Sequence, residues 1–209
     1  MPHQCSVGTG EWQDSRAERS AAVSPTMYRE AEIMKTRLFV LIALALPAFP
    51  QTGIQDALAK HWKTSGDFTI TVAKAMPADS YNFRPNPEEM SFGQVMAHIA
   101  LANLGACSRA SGMPRPELPA KIAAWSKDTN KIDVDRDTAI QFLTDSFSFC
   151  YSAVNGMSAE KLHAMVGPEG RQMTAFETLW SYFTHTAHHR GQAEVYLRVK
   201  GIKPPDYVF

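Results

Sequence analysis

The stretch from Thr174 to Gly201 constrains the fold most, because both ends of one long helix are written in it. Thr174 is an N-cap with Glu177 three residues later, the reciprocal box in which each side chain satisfies a free backbone N–H of the first turn. Gly201 stands where a left-handed C-terminal cap belongs, and Pro204-Pro205 prevent continuation. Inside this helix His185 and His189 are four residues apart, so their imidazoles rise one above the other on a single face and can share one ion. Around the axis they differ by about 40°, whereas His188 and His189 differ by about 100° and cannot both point at one inward site. His185 and His188 differ by about 60°, so spacing alone leaves that pair open too. Either pair needs a third ligand from elsewhere in the chain.

The rest of the sequence predicts three more helices. Leu58, Trp62, Thr69, Ala73 and Met76 recur at helical steps between Ile54 and Met76, and Pro77 ends the run. Tyr81 to Pro87 is a connector stiffened by Pro85 and Pro87. Ser91 with Gln94 makes a second capping box that opens a helix over Phe92 to Ala110. Its inner line reads Val95, His98, Leu101 or Ala102, and Gly105, which puts His98 in the core line rather than on the solvent side. Gly112 to Asp135 carries three prolines and the apolar patch Ile122 to Trp125; a connection of that length is a functional loop or a crossover along a bundle. Asp135 or Asp137 starts a third helix with Ile140, Leu143, Phe147, Cys150 or Tyr151, and Val154 inward, and Gly156 ends it. Ser158 to His163 offers a short helical turn, and Gly167-Pro168-Glu169-Gly170 a tight turn before the last helix. No run alternates as a strand would, and no repeat is present. The expected fold is all-α, a four-helix bundle with long interhelix connections.

At 209 residues and 44% hydrophobic content, the chain suits one globular domain with an N-terminal extra. Acidic and basic residues number 21 each, so no electrostatic footprint marks nucleic acid as a partner. Residues 1–33 are polar and read as a disordered extension. Met34-Lys35-Thr36-Arg37 before the apolar run Leu38 to Phe49 has the form of a signal peptide over 34–50, too short for a bilayer, which takes about 20 apolar residues. No cysteine follows the run directly, so no stable membrane anchor is expected. The bundle domain then occupies 51–209, exported to the periplasm or the medium if the segment at Met34 is a signal peptide and cytoplasmic otherwise.

Cys5, Cys107 and Cys150 have no CxxC spacing. Cys107 and Cys150 fall on apolar lines of the second and third helices, where packing is the ordinary role, though an oxidising compartment could join them. The metal case therefore rests on histidines. A single inward histidine is ordinarily a satisfied core residue, and His61 and His163 read as surface residues. Conjunction changes the reading: His98 on one helix and His185 with His189 on another can converge between helices. Three neutral imidazoles leave coordination positions open to water or substrate, the arrangement of catalytic rather than structural sites. Zinc fits that set, and nickel, iron or manganese fit an octahedral version of it. Glu160-Lys161-Leu162-His163 matches one Glu-x-x-His of a di-iron bundle, but no second copy exists; His-Glu-x-x-His and a Gly-rich phosphate loop are absent as well.

Two segments carry a family resemblance. His185-Thr186-Ala187-His188-His189-Arg190-Gly191-Gln192, with Tyr196-Leu197-Arg198 and then Gly201 and Pro204-Pro205, resembles the last helix of the DinB/YfiT-like family. Phe83-Arg84-Pro85 through Ser91-Phe92-Gly93-Gln94 to His98-Ile99 resembles that family's entry into its second helix, so the similarity spans Ile54 to Tyr207. The resemblance implies a four-helix bundle holding a divalent metal ion, zinc or nickel foremost, through three histidines that map onto His98, His185 and His189, with His188 outside the set. It also implies a metal-dependent enzyme of hydrolase type, or a thiol-dependent S-transferase in which the ion holds a small thiol as thiolate. Such thiols belong to the reducing cytoplasm, so export favours the hydrolase. The expected partner is a small-molecule substrate, in a pocket lined by Trp62, Tyr182, Tyr196 and loop residues; a homodimer is compatible with the sequence, which does not fix the oligomeric state. The rival expectation is a non-catalytic bundle that binds a metal or ligand as sensor or scaffold.

Overall fold

The computed structural model describes residues 53–129 and 132–208. The extension expected over 1–33 and the signal peptide expected over 34–50 lie outside them. Four long helices, α1 (Ile54–Ala75), α2 (Phe92–Ser111), α4 (Arg136–Asn155) and α6 (Ala175–Val199), are accompanied by two short ones, α3 (Ala120–Trp125) and α5 (Ala159–His163). The described residues are all-α but for a two-stranded antiparallel ribbon, β1 (Met165–Val166) with β2 (Met173–Thr174), closed by the Gly167–Gly170 turn. Strands were not expected there; two residues are too few to show an alternation. α4 and α6 each pack on both α1 and α2, so consecutive long helices α1 and α2 sit across the bundle from each other. No helix among the described residues is long and apolar enough to cross a membrane.

The helix ends follow the local sequence. Met76 is extended before Pro77, which stops α1. Thr174 and Glu177 form the expected box at the start of α6, with the Glu177 amide donating to Thr174 Oγ1 at 3.1 Å and the Thr174 amide to Glu177 Oε2 at 2.8 Å. At its other end Gly201, with φ of 73°, lets the Ile202 amide reach the Leu197 carbonyl at 2.9 Å and its own amide reach Arg198, the Schellman pairing. Asp135, not Asp137, caps α4, accepting from the Thr138 amide and pairing with Lys121 of α3.

Entry into α2 is more than a cap. Gln94, fully buried, accepts from the Ser91 amide and from Arg84, and donates to the carbonyls of Thr129 and Ile132 at 2.8 Å each. One amide thus uses both of its donors and both acceptor positions to fasten the long connection to the start of α2. Arg84 reaches on to Asp133 at 2.9 Å, and Gly93 lies so close to Val134 that a β-carbon would stand 1.9 Å from its carbonyl oxygen. The apolar patch of that connection, Ile122 and Trp125, folds as α3 and is buried. Cys107 of α2 and Cys150 of α4 are joined by a disulfide, their α-carbons 5.3 Å apart.

The inner line of α2 differs from the expected one. Val95 is buried, but His98, Leu101, Ala102 and Gly105 are half-exposed, and the deep side is Met96, Ile99, Ala100, Asn103, Cys107 and Ala110. α2 is wedged between α4 and α6 and is buried over most of its circumference, so the line through His98 is the rim of that contact.

Candidate metal centre

α2 and α6 meet along a face that mixes polar with apolar groups. Asn103 and Thr186, both buried, bond to each other through Thr186 Oγ1 and Asn103 Oδ1 at 3.1 Å. That pairing ties the residue beside His185 to the helix that carries His98. At the rim, His98, His185 and His189 come together, one candidate ligand atom from each lying within 4.8 Å of the other two. Their ring centroids are 4.9 Å apart for His98 and His185, 4.5 Å for His98 and His189, and 4.4 Å for His185 and His189. All three rings are half-buried, and no carboxylate belongs to the group.

His98 Nε2 stands 3.1 Å from His185 Nε2. Two nitrogens held about 2.0–2.1 Å from one ion would be about 3.3 Å apart at a tetrahedral angle and about 2.9 Å apart at a right angle. The observed separation falls between those limits, so the spacing of this pair is compatible with a shared ion. With no ion, one Nε2 must carry a proton and donate it to the other.

The electrostatics favour lone pairs over protons. Burial first, then His189, His98 and His188, pushes His185 down to about 4. Burial and the nearby His189 lower His98; burial also lowers His189, against the opposing pull of its bond to Gln192. Three imidazoles that resist protonation are in the state that a metal ion requires of them.

Orientation comes from different sources. His189 Nδ1 lies 2.7 Å from Gln192 Oε1, and Gln192 Nε2 lies 3.2 Å from His188 Nε2. His185 Nδ1 is buried without a hydrogen-bond partner, and the Tyr182 ring packs 5.6 Å from the His185 ring. His188 is exposed and lies outside the group, though its ring meets that of His189 at 4.9 Å.

Of the three aromatics expected to line a pocket, Tyr182 is the one packed on a member of the group. Trp62 is fully buried against Phe183, with ring centroids 5.9 Å apart. Tyr196 donates its hydroxyl to the Met90 carbonyl at 3.0 Å and meets the Phe83 ring edge-on, a packing role. His163 is exposed as expected, but His61 is half-buried, in an apolar groove with Ile54, Leu58 and Trp180.

Sequence reasoning gave no role to Asn103, Arg190 or Gln192. Gln192 was findable, since it stands three residues from His189 and four from His188 on one helix, within reach of both. Nothing in the sequence marks Asn103 as buried opposite Thr186.

Residues 61–193 match the model of the DinB superfamily. Among solved structures, a DinB-like protein from Bacillus cereus ATCC 10987 is similar at a TM-score of 0.59 and 18% identity, covering 72% of this chain and 95% of its own. A DinB-like protein from Bacillus subtilis gives 0.57 and 17%, covering 72% and 96%. A conserved protein from Enterococcus faecalis gives 0.54 and 18%, covering 70% and 96%. No curated protein matches the chain.

Proposed function

The chain belongs to the DinB superfamily, and from that footing we propose that it is a metal-dependent enzyme whose ion is held by His98, His185 and His189. The observation that carries the reading is the set itself: three imidazoles kept neutral, within 4.8 Å of one another, at the half-exposed rim of the α2–α6 contact. An all-histidine set with a side open to solvent suits zinc or nickel, with iron and manganese as octahedral alternatives. The ion would supply Lewis acidity to a small substrate reaching the rim. The protein's own share is to hold the three rings in register through the Asn103–Thr186 bond, to fix His189 through Gln192, and to offer the Tyr182 ring as an apolar wall beside His185.

Hydrolysis is the reaction class we favour over thiol transfer. Support comes from the disulfide between Cys107 and Cys150, both fully buried, since such bonds persist in oxidising compartments where small cytoplasmic thiols are scarce. The same bond supports export directed by residues 34–50.

Elemental analysis of protein purified without a histidine tag should find about one divalent ion per chain. The loaded protein is then offered ester, amide and phosphate panels, and separately a thiol with electrophiles. Turnover on the first set supports the hydrolase; turnover on the thiol set alone replaces it with the S-transferase. Stoichiometric metal with no turnover on either moves the protein to the sensor or scaffold class.

A further inference from the structure

The side chain that decides which nitrogen His189 presents to the rim is Gln192. At 2.7 Å from His189 Nδ1, Gln192 Oε1 is a carbonyl oxygen and can only accept, so Nδ1 must carry the proton. The neutral ring then has its lone pair on Nε2. The amide has a second contact that couples it to a neighbouring ring. Its Nε2 lies 3.2 Å from His188 Nε2, so with Oε1 on His189 the amide donates to a bare His188 Nε2, and reversing it would require the opposite tautomer on both rings at once. Residue spacing makes this bridge a property of the helix: positions 188 and 189 are four and three residues before 192, the two offsets that bring side chains together.

The remaining rings lack such a device. His185 Nδ1 is buried without a partner, and His98 meets His185 through Nε2. In metal sites generally, the ring nitrogen turned away from the ion donates to an acceptor that fixes tautomer and orientation. We propose that Gln192 is the positioning residue of this centre, holding His189 in the Nδ1–H tautomer with Nε2 free as the ligand atom, and that the exposed His188 takes part by anchoring the amide. The proposal rests on the metal-site reading for its consequence but not for its geometry, because the tautomer is a property of the metal-free chain.

The test uses the full chain, stripped of metal and labelled with 15N in histidine. Long-range 15N–1H correlations read the tautomer of each ring. His189 should show a protonated Nδ1 and a bare Nε2 in the wild type, and a tautomer mixture in Gln192→Met, which keeps the side-chain length and loses the acceptor. Zinc affinity, measured by competition with a chromophoric chelator, should fall about 10- to 100-fold in Gln192→Met. Gln192→Glu keeps an acceptor oxygen and should retain both the tautomer and wild-type affinity or better. A protonated Nε2 on His189 in the wild type overturns the proposal, and so does zinc affinity in Gln192→Met within about twofold of wild type. Should Gln192→Met fail to fold, the wild-type spectrum decides alone. Failure of the metal reading looks different: wild-type chain that takes up no zinc, with the His189 tautomer still as described.

Discussion

The guanidinium of Arg190 lies 4.6 Å above the ring of Phe68, so the residue next to His189 crosses from α6 to α1. It also donates to Ser65 Oγ at 2.9 Å and to Thr69 Oγ1 at 3.3 Å, and only 6% of its surface meets solvent. Burial lowers its pKa, yet a guanidinium stays charged at any pH at which the protein is folded. The charge is thus met at contact distance by hydroxyls and an aromatic face, and the Glu194 carboxylate one turn along α6 adds attraction.

Arg190→Met keeps much of the packing and removes both the cation and its donors. Its loss should lower unfolding free energy by about 1–3 kcal/mol in urea titrations, from one cation–π contact and a charged hydrogen bond. A change under about 0.5 kcal/mol would show the contact to be energetically idle.

Gly93 and Gly105 sit on the same helix and should respond with opposite sign to alanine. At 93 the new β-carbon meets the Val134 carbonyl oxygen at 1.9 Å, and either the loop or the helix start must move. At 105 it meets nothing within 4 Å. We expect Gly93→Ala to destabilise by about 1–3 kcal/mol and Gly105→Ala to stabilise by about 0.5–1 kcal/mol. Thermal melts of the two variants side by side check the pair; equal shifts would mean that α2 does not seat on the connection as described.

Alanine at 98, 185 or 189 should abolish stoichiometric zinc binding, read by elemental analysis after dialysis. His188→Ala should keep one ion but hold it less tightly, because the Gln192 amide loses its anchor. Loss of metal in His188→Ala with retention in His189→Ala would reverse the assignment.

The stability of the metal-free protein should fall on mild acidification. His185 titrates at about 4 in the fold against about 6.5 when unfolded, and His98 and His189 are shifted in the same direction. Between those values the unfolded chain binds more protons, so stability rises with pH: it is full above about 6.5 and is lost as pH falls through about 4. Asp135, held down to about 2 by its bonds to Lys121 and Thr138, loses its share only in stronger acid. Urea titrations from pH 7 to 4 should therefore show a steeper decline for wild type than for His185→Leu. Parallel curves would remove the histidine cluster from the account of acid sensitivity.

Much of the fold could be read from local chemistry. Both capping boxes, at Ser91 with Gln94 and at Thr174 with Glu177, form as their spacing predicts, because a cap involves a single turn and nothing distant. His185 and His189 share a face for the same reason. The position of His98 could not be read from a stripe, since α2 is rich in small residues, Ala97, Ala100, Ala106 and Ala110 among them, that bury on every side and blur the period. Gln94 looked like a cap alone; its grip on Thr129 and Ile132 spans 35 and 38 residues, a distance that no local pattern encodes. The β1–β2 ribbon escaped because Thr174 serves both as its last residue and as the cap of α6.

Cys107 and Cys150 bracket the whole connection between α2 and α4, a separation of 43 residues that includes its three prolines. A protease that cuts there makes two chains but not two molecules. The fragment bearing His98 stays tethered to the fragment bearing His185 and His189, so the nicked protein runs as one species until it is reduced. In a protease-rich setting, the exposed segment 112–117 can be severed while the three imidazoles remain on a single covalent body.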